Sequence, residues 1–163
     1  MSETSILSEH VREEIEHWKT RFPAERQRPA VIGALHAVQH ENDGYLTPEL
    51  MDAVAEYLEL PNIQVYEVAT FYSMFQTKPV GRHNVAICTN VSCMLRGADD
   101  IVEHVENRLG VKLGESTGDG RIYLKREEEC LAACCGAPMM MVNHEYYENL
   151  TKDQVDEILD GLD

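Results

Sequence analysis

The sequence lacks a long hydrophobic run, which excludes a membrane-spanning helix. No stretch approaches the roughly 18 consecutive apolar residues that a span requires. The most apolar window, 132–142, is interrupted by Gly136 and Pro138. The start of the chain is acidic, unlike a secretory signal or an Arg-rich transit peptide. We therefore expect no insertion into a bilayer, and a reducing compartment rather than an exported protein.

Basic residues are also scarce. The 163 residues include 29 Asp and Glu against 14 Lys and Arg, which gives a formal net charge of -15. No cluster of basic residues interrupts this acidic balance, and binding to a phosphate backbone needs one. We therefore expect neither a nucleic-acid partner nor an anionic membrane surface as a binding site.

Nucleotide-binding and hydrolytic motifs are absent from the sequence. Gly118-Asp119-Gly120 is followed by Tyr123, where the dinucleotide fingerprint requires a third glycine, and there is no P-loop. No nucleophile paired with an acid or base is visible either. The sequence therefore predicts no autonomous catalytic site in this chain.

The first half of the chain is typical of a small helical bundle. Apolar residues from Leu7 to Phe22 recur at helical spacing, and three further segments follow the same pattern between turn signals. The predicted helices run from about Leu7 to Phe22, from Pro29 to Val38, from Pro48 to Leu58 after a Thr47 cap, and from Gln64 to Met74. We predict one helical domain over residues 1–80.

The pattern changes after Pro79-Val80-Gly81, where we place the domain boundary. Short β-prone runs then alternate with two amphipathic helices, and the order β, α, β, β, β, α predicts a small α/β layer over residues 81–163. The elements are strands at 85–87, 121–124, 139–143 and 146–147, with helices at 98–109 and, after a Thr151 capping box, up to Leu162. The chain as a whole is predicted to be α+β, in two parts.

The chemistry-bearing residues are five cysteines, all in the second half. Cys88 and Cys93 follow the first predicted strand with four residues between them, and Cys130 and Cys134 follow the second with three. Each loop can deliver two sulfurs to one point. Four converging thiolates suit either a zinc ion or an iron-sulfur cluster. An odd number of cysteines without an export signal argues against a disulfide framework.

Spacing favours a cluster over zinc without excluding zinc. Structural zinc sites typically have two residues between ligands, and this sequence contains no Cys-x2-Cys. The same absence argues against a thioredoxin-type dithiol. Plant-type ferredoxins share the four-residue spacing but continue with a third cysteine, where Arg96 stands here.

Spacing also leaves open which cysteine completes the second pair. Cys135 directly follows Cys134, and Cys130-x4-Cys135 repeats the spacing of Cys88 and Cys93. Successive loop residues point apart, so the sulfur that is not a ligand is expected to pack as a small buried hydrophobe. The adjacent acidic run Glu127–Glu129 is predicted to be a solvated loop.

Specific segments of the sequence closely resemble the 24 kDa-type [2Fe-2S] subunit of respiratory NADH dehydrogenase (complex I), which belongs to the thioredoxin-like ferredoxins. The matching segments are Val65 to Phe75, Cys88-x4-Cys93 with Met94 to Gly97, and Glu129 to Cys134 with Ala137-Pro138-Met139. The resemblance implies a helical N-terminal region followed by a thioredoxin-like [2Fe-2S] domain. The resemblance also implies that four cysteines bind one cluster, namely Cys88, Cys93, Cys130 and Cys134.

The resemblance also implies a partner and a location. The chain would dock on the flavin- and NADH-binding subunit of the peripheral arm, with FMN and NADH bound only there. The complex would lie on the cytoplasmic face of the bacterial plasma membrane. Homologous subunits also serve soluble NAD-linked hydrogenases and formate dehydrogenases, which remain an alternative, as does a four-cysteine zinc module. Because surplus acid disfavours uptake of an electron, we expect a low-potential centre.

Overall fold

A computed structural model of the chain describes residues 6–126 and 130–163. It divides into two compact units, Met1–Pro79 and Val80–Asp163. The first unit is helical and the second contains a mixed sheet, which confirms the predicted α+β class. Among the described helices none is both long and apolar enough to cross a membrane. The prediction for Glu127–Glu129 concerns residues outside those described.

Two helices of the first unit begin at capping side chains, and the other two follow a proline. The Ser8 hydroxyl accepts a hydrogen bond from the Val11 N–H at 3.1 Å, and the Thr47 hydroxyl accepts one from the Leu50 N–H at 3.3 Å. These helices are α1 (Glu9–Lys19), α2 (Ala30–Glu41), α3 (Pro48–Tyr57) and α4 (Asn62–Phe71). The predicted helices are confirmed, but α4 ends before Met74 because Tyr72 takes an extended conformation.

One apolar core holds the described part of the first unit together, and the polar side chain of Gln39 is buried as well. Leu35, Val54 and Val65 from three different helices are completely buried in this core. The Gln39 amide donates to the Met74 carbonyl at 3.1 Å and accepts from the Gln76 N–H at 2.7 Å. Because both ends of the amide are satisfied, its burial fixes the segment after α4 against α2 at little cost.

The second unit is built on a five-stranded sheet with the order β2-β3-β1-β4-β5. Strands β1 and β3 are parallel, and the other neighbouring pairs are antiparallel. In chain order the elements are β1 (His83–Ile87), α5 (Val91–Met94), α6 (Ala98–Leu109), β2 (Glu115–Ser116), β3 (Ile122–Lys125), a 3₁₀ turn (Cys134–Gly136), β4 (Met140–Val142), β5 (Glu145–Tyr147) and α7 (Lys152–Asp160).

The two faces of this sheet carry different side chains. On one face, alternate residues of β1, β3 and β4 pack with α6 and α7 around Val105, Val155 and Leu159. On the other face lie Ala86 and the residues of the two cysteine-bearing loops. Since side chains alternate across a strand, the helices cover one side of the sheet and leave the opposite side to the cysteines.

The predicted strands and long helices of the second unit are confirmed within a few residues. The two-residue turn between β4 and β5 has Asn143 and His144 at positive φ, 49° and 75°, as a type I′ hairpin turn requires. The Thr151 capping box is present, with Gln154 as its partner. The sequence did not predict α5, β2 or the 3₁₀ turn, because each is too short for a periodic pattern.

Replacing Gly81 with alanine is expected to destabilise the second unit. A Cβ atom at this buried position would lie 2.5 Å from the backbone carbon of Ile122, at the start of β3. Backbone cannot move aside as a side chain can, so the loss should be about 1–3 kcal/mol. Thermal unfolding followed by circular dichroism measures it.

Gly118→Ala is the matched control, because a Cβ atom at Gly118 meets nothing within 4 Å. Its effect should stay within about 0.5 kcal/mol. Equal losses in the two variants would contradict the close approach of Gly81 to β3.

Candidate metal centre

The first cysteine pair lies at the end of β1 and is buried. Cys88 directly follows β1, and its backbone N–H donates to the Met139 carbonyl at 3.2 Å. Cys93 lies in α5, whose first residue, Val91, donates its N–H to the Asn90 side chain at 2.9 Å. Both cysteines are 1% exposed. The capped turn therefore folds Cys93 back beside Cys88, with both residues in one buried cluster.

The second pair lies on the loop that follows β3. The Sγ atoms of Cys130 and Cys134 are 3.4 Å apart, and both residues are exposed. Ala132, between them, has φ 64° and donates its N–H to the Cys130 sulfur at 3.4 Å. The left-handed conformation of Ala132 turns the chain back on itself. This turn brings two sulfurs that are four residues apart into contact.

The two pairs face the same region of the sheet. Cys88 and Cys93 belong to one buried cluster with side chains from both loops, among them Leu131 and Met139. Cys134 is near enough for its charge to act on Cys93. The structure brings the sulfurs of Cys130 and Cys134 into contact, and residues of both cysteine-bearing loops share one buried cluster; which cysteines bind a metal stays a prediction.

Burial raises the pKa of the Cys93 thiol to about 11. The hydrogen bond and the charge of Cys88, and the charge of Cys134, act in the same direction, while a backbone hydrogen bond from Met139 opposes them. In this apolar setting the neutral thiol is the stable form unless a cation is near. A bound metal supplies that cation, because its positive charge deprotonates a coordinating thiol.

The donors are arranged as two pairs. In the described part of the chain no three His, Cys, Asp or Glu side chains are close enough together to hold a single metal ion. Four cysteine sulfurs suit either a zinc ion or a two-iron cluster. The contact between the Cys130 and Cys134 sulfurs matches the pair of thiolates that each iron of a [2Fe-2S] cluster needs.

Cys135 does not pack as expected. The prediction that it is a small buried hydrophobe is wrong, because its side chain is exposed. It occupies the middle of the 3₁₀ turn Cys134–Gly136, in which Gly136 is the buried residue. A Cβ atom at Gly136 would clash with the Glu148 side chain. In this turn Gly136 therefore lies against Glu148, while Cys134 and Cys135 are exposed.

His83 lies away from the cysteines. It begins β1, whereas Cys88 follows the last residue of that strand. Its ring nitrogens contact the Asp163 carbonyl at 2.9 Å and the Asn143 side chain at 2.8 Å. His83 therefore contacts groups at the opposite end of β1 from Cys88.

A family model described as thioredoxin-like [2Fe-2S] ferredoxin matches residues 15–163. The E-type subunit of NADH-quinone oxidoreductase from Rickettsia conorii (strain ATCC VR-613 / Malish 7) is 44% identical over 142 residues, which are 87% of this chain and 84% of the relative. An E-type subunit of the same enzyme from Rhizobium meliloti (strain 1021) is 41% identical over 152 residues, which are 93% of this chain and 88% of the relative.

A solved structure supports the same fold. The crystal structure of an NAD+-reducing [NiFe]-hydrogenase in the air-oxidized state superposes with a TM-score of 0.66 and 21% identity. The match covers 77% of this chain and 22% of the hydrogenase chain, so this chain spans about a fifth of that protein. The sequence match over residues 15–163 and the paired cysteines agree: the chain belongs to the thioredoxin-like [2Fe-2S] ferredoxin family.

Proposed function

We propose that this chain is an electron-transfer subunit of an NADH-quinone oxidoreductase and carries one [2Fe-2S] cluster. The observation that carries the proposal is the convergence of two cysteine pairs on one sheet face in a member of this ferredoxin family. Relatives similar over most of their length are E-type subunits of NADH-quinone oxidoreductases. The enzyme activity belongs to the assembled complex.

The ligands in this proposal are Cys88, Cys93, Cys130 and Cys134. Each pair serves one iron, which the contacts within the pairs support. The bound cluster supplies one-electron chemistry, which amino-acid side chains lack. Leu131 and Met139 cover the buried pair and exclude water from it. The Ala132 N–H is directed at the Cys130 sulfur, where it stabilises negative charge.

The exposure of the two pairs suggests the direction from which electrons arrive. Cys88 and Cys93 are enclosed by the protein, whereas Cys130 and Cys134 are exposed. In this proposal the exposed pair is the edge of the site that faces the redox partner. Unit Val80–Asp163 then acts as the [2Fe-2S] domain, and the helical unit Met1–Pro79 acts as a separate docking domain.

The partner in this proposal is the subunit that binds FMN and NADH, with which the chain forms a heterodimer within the peripheral arm. The complex is peripheral to the cytoplasmic face of the bacterial membrane. A soluble NAD-linked hydrogenase or formate dehydrogenase is the alternative assembly. The hydrogenase structure supports a shared fold at 21% identity, and the names of the more similar relatives favour the quinone-reducing enzyme.

Metal analysis tests the cofactor. Anaerobically purified chain is expected to contain about two irons and two acid-labile sulfides, to be red-brown, and to give a spin-half EPR signal after dithionite reduction. Stoichiometric zinc without sulfide, and no EPR signal, would contradict electron transfer. It would instead favour the four-cysteine zinc module.

Two adjacent serine substitutions test the ligand set. Cys134→Ser is expected to reduce iron and sulfide to a small fraction of the wild-type content, because it removes a thiolate from one pair. Cys135→Ser is the matched control and should retain the full content and an unchanged EPR spectrum. Loss of the cluster in Cys135→Ser alone would show that Cys135 is the ligand.

Purification of the native complex tests the assembly. Affinity-tagged chain is expected to co-purify with FMN and with NADH oxidation coupled to quinone reduction. The same preparation is assayed with hydrogen and with formate as electron donors. Reduction of NAD+ by either donor would contradict the quinone-reducing assignment and support the alternative assembly.

A further inference from the structure

The outer face of helix α4 in the first unit carries two large apolar side chains in solvent. Ile63 is 65% exposed and Phe71 is 78% exposed, the highest values among the large apolar residues described in this unit. Residues four apart on a helix share a face, so positions 63, 67 and 71 form one stripe with the exposed Glu67 in its middle. Val65 and Ala69, by contrast, are buried in the core of the unit. Ile63, Glu67 and Phe71 are named the α4 stripe.

The ring of Phe71 is exposed, yet its position is constrained. Phe71 is the last residue of α4, and its ring meets that of Tyr72 edge-on, with the ring centroids 4.9 Å apart. One surface groove is lined by Glu67, Val68, Thr70, Phe71 and Tyr72. An aromatic side chain that is already held beside a groove loses little further freedom on binding, which favours it as the anchor of an interface.

The part of the sequence around the stripe carries charge of one sign. From 41 to 77 it has no Lys, Arg or His, and its acidic residues are Glu41, Asp43, Glu49, Asp52, Glu56, Glu59 and Glu67. The structure places one of them at the beginning of α4, since the Asn62 side chain donates to the Asp52 carboxylate at 2.7 Å. A partner that covers Ile63 and Phe71 therefore meets carboxylates around the contact, and basic side chains match them.

The same charge argues against other occupants of the stripe. Two copies of the chain related by a twofold axis would bring their acidic segments together, and like charges repel. The parts of the chain outside the described residues, 1–5 and 127–129, contain four Glu and no Lys or Arg. Nucleic acids and anionic lipid surfaces are repelled as well. The stripe therefore fits a protein surface that has basic residues around an apolar pocket.

We propose that the α4 stripe docks on a basic surface of the subunit that binds FMN and NADH, with the Phe71 ring in an apolar pocket of that subunit. This inference rests on the proposed function and deepens it, because it names the surface through which the helical unit acts as a docking domain. Lys or Arg side chains of the partner face Glu67 and fix the orientation of the contact. Phe71 supplies the larger part of the affinity.

Binding of the full chain to its partner tests the surface. The probe is the FMN-containing subunit that co-purifies with affinity-tagged wild-type chain, separated from it and then titrated with anaerobically purified full chain in a calorimeter. Phe71→Ser removes the aromatic anchor, and Glu67→Lys reverses the central charge. Ile6→Ser and Glu13→Lys are the matched controls, because Ile6 is 61% exposed in the same unit and Glu13 is an exposed residue of α1. Iron, sulfide and circular dichroism are measured first on every variant.

Phe71→Ser is expected to raise the Kd for the FMN-containing subunit about 30-fold, as the loss of a central aromatic anchor does. Glu67→Lys should raise it about tenfold at low salt and less at high salt, because salt screens exposed charges. Both controls should bind within about twofold of the wild-type chain. Wild-type affinity in folded Phe71→Ser would overturn the inference, and so would an equal loss in Ile6→Ser. If Phe71→Ser does not fold, the exposed Glu67→Lys variant decides in the same way against Glu13→Lys.

Three further outcomes separate this inference from the proposed function. Wild-type chain that binds the FMN-containing subunit through Phe71 but holds no iron or sulfide would contradict electron transfer and support the docking surface. A cluster-loaded wild-type chain that binds no FMN-containing subunit would support electron transfer and overturn the docking surface. A wild-type dimer that Phe71→Ser converts to a monomer, measured by analytical ultracentrifugation, would also overturn it, because the occupant is then a second copy of the chain.

Discussion

The parallel pairing of β1 with β3 is the constraint on which the candidate site depends. Parallel neighbours need a crossover, here supplied by α6 on one face, and their C-terminal ends then lie at a common edge. The loops that carry Cys88 and Cys130 both leave from this edge. A one-residue slip in register would turn Ala86 and Cys88 to the helix-covered face and separate the pairs.

Strand β4 completes this arrangement from the other side of β1. It is antiparallel to β1, so the chain after the second cysteine pair returns directly past the first. The hydrogen bond from the Cys88 N–H to the Met139 carbonyl extends that pairing to the cysteine itself. One cysteine pair is therefore attached to β1 and the other is held between its two neighbours, and the sheet fixes both.

Long periodic elements could be predicted from the sequence, because their signals repeat. The apolar face of α6 is such a case, with Gly110 as its C-cap, and so is α7 with its Thr151 capping box. Helix α5 could not be predicted, since four residues contain little more than one turn of any period. Yet α5 is the element that folds Cys93 against Cys88. The spacing of the cysteines therefore contained information that hydrophobic periodicity did not.

The exposure of Cys135 and the burial of Lys125 depend on contacts that a local pattern cannot contain. Cys135 is exposed in a turn whose next residue, Gly136, packs against Glu148, a residue that follows β5 in the sequence. Lys125 is buried because its strand is covered on both faces, and the cover on one face comes from loops before and after it in the chain. A count of charged residues does not distinguish a buried lysine from an exposed one.

This difference bears on how the protein sets a redox potential. A net charge of -15 by itself predicts a low reduction potential for any centre in the chain. Charges on the surface act through water, however, and are screened beyond about 8 Å at physiological salt. A buried residue such as Lys125, at 5% exposure, is screened much less than these surface charges. Net charge is therefore a weak guide to the potential of the centre, because it counts screened surface charges and buried charges alike.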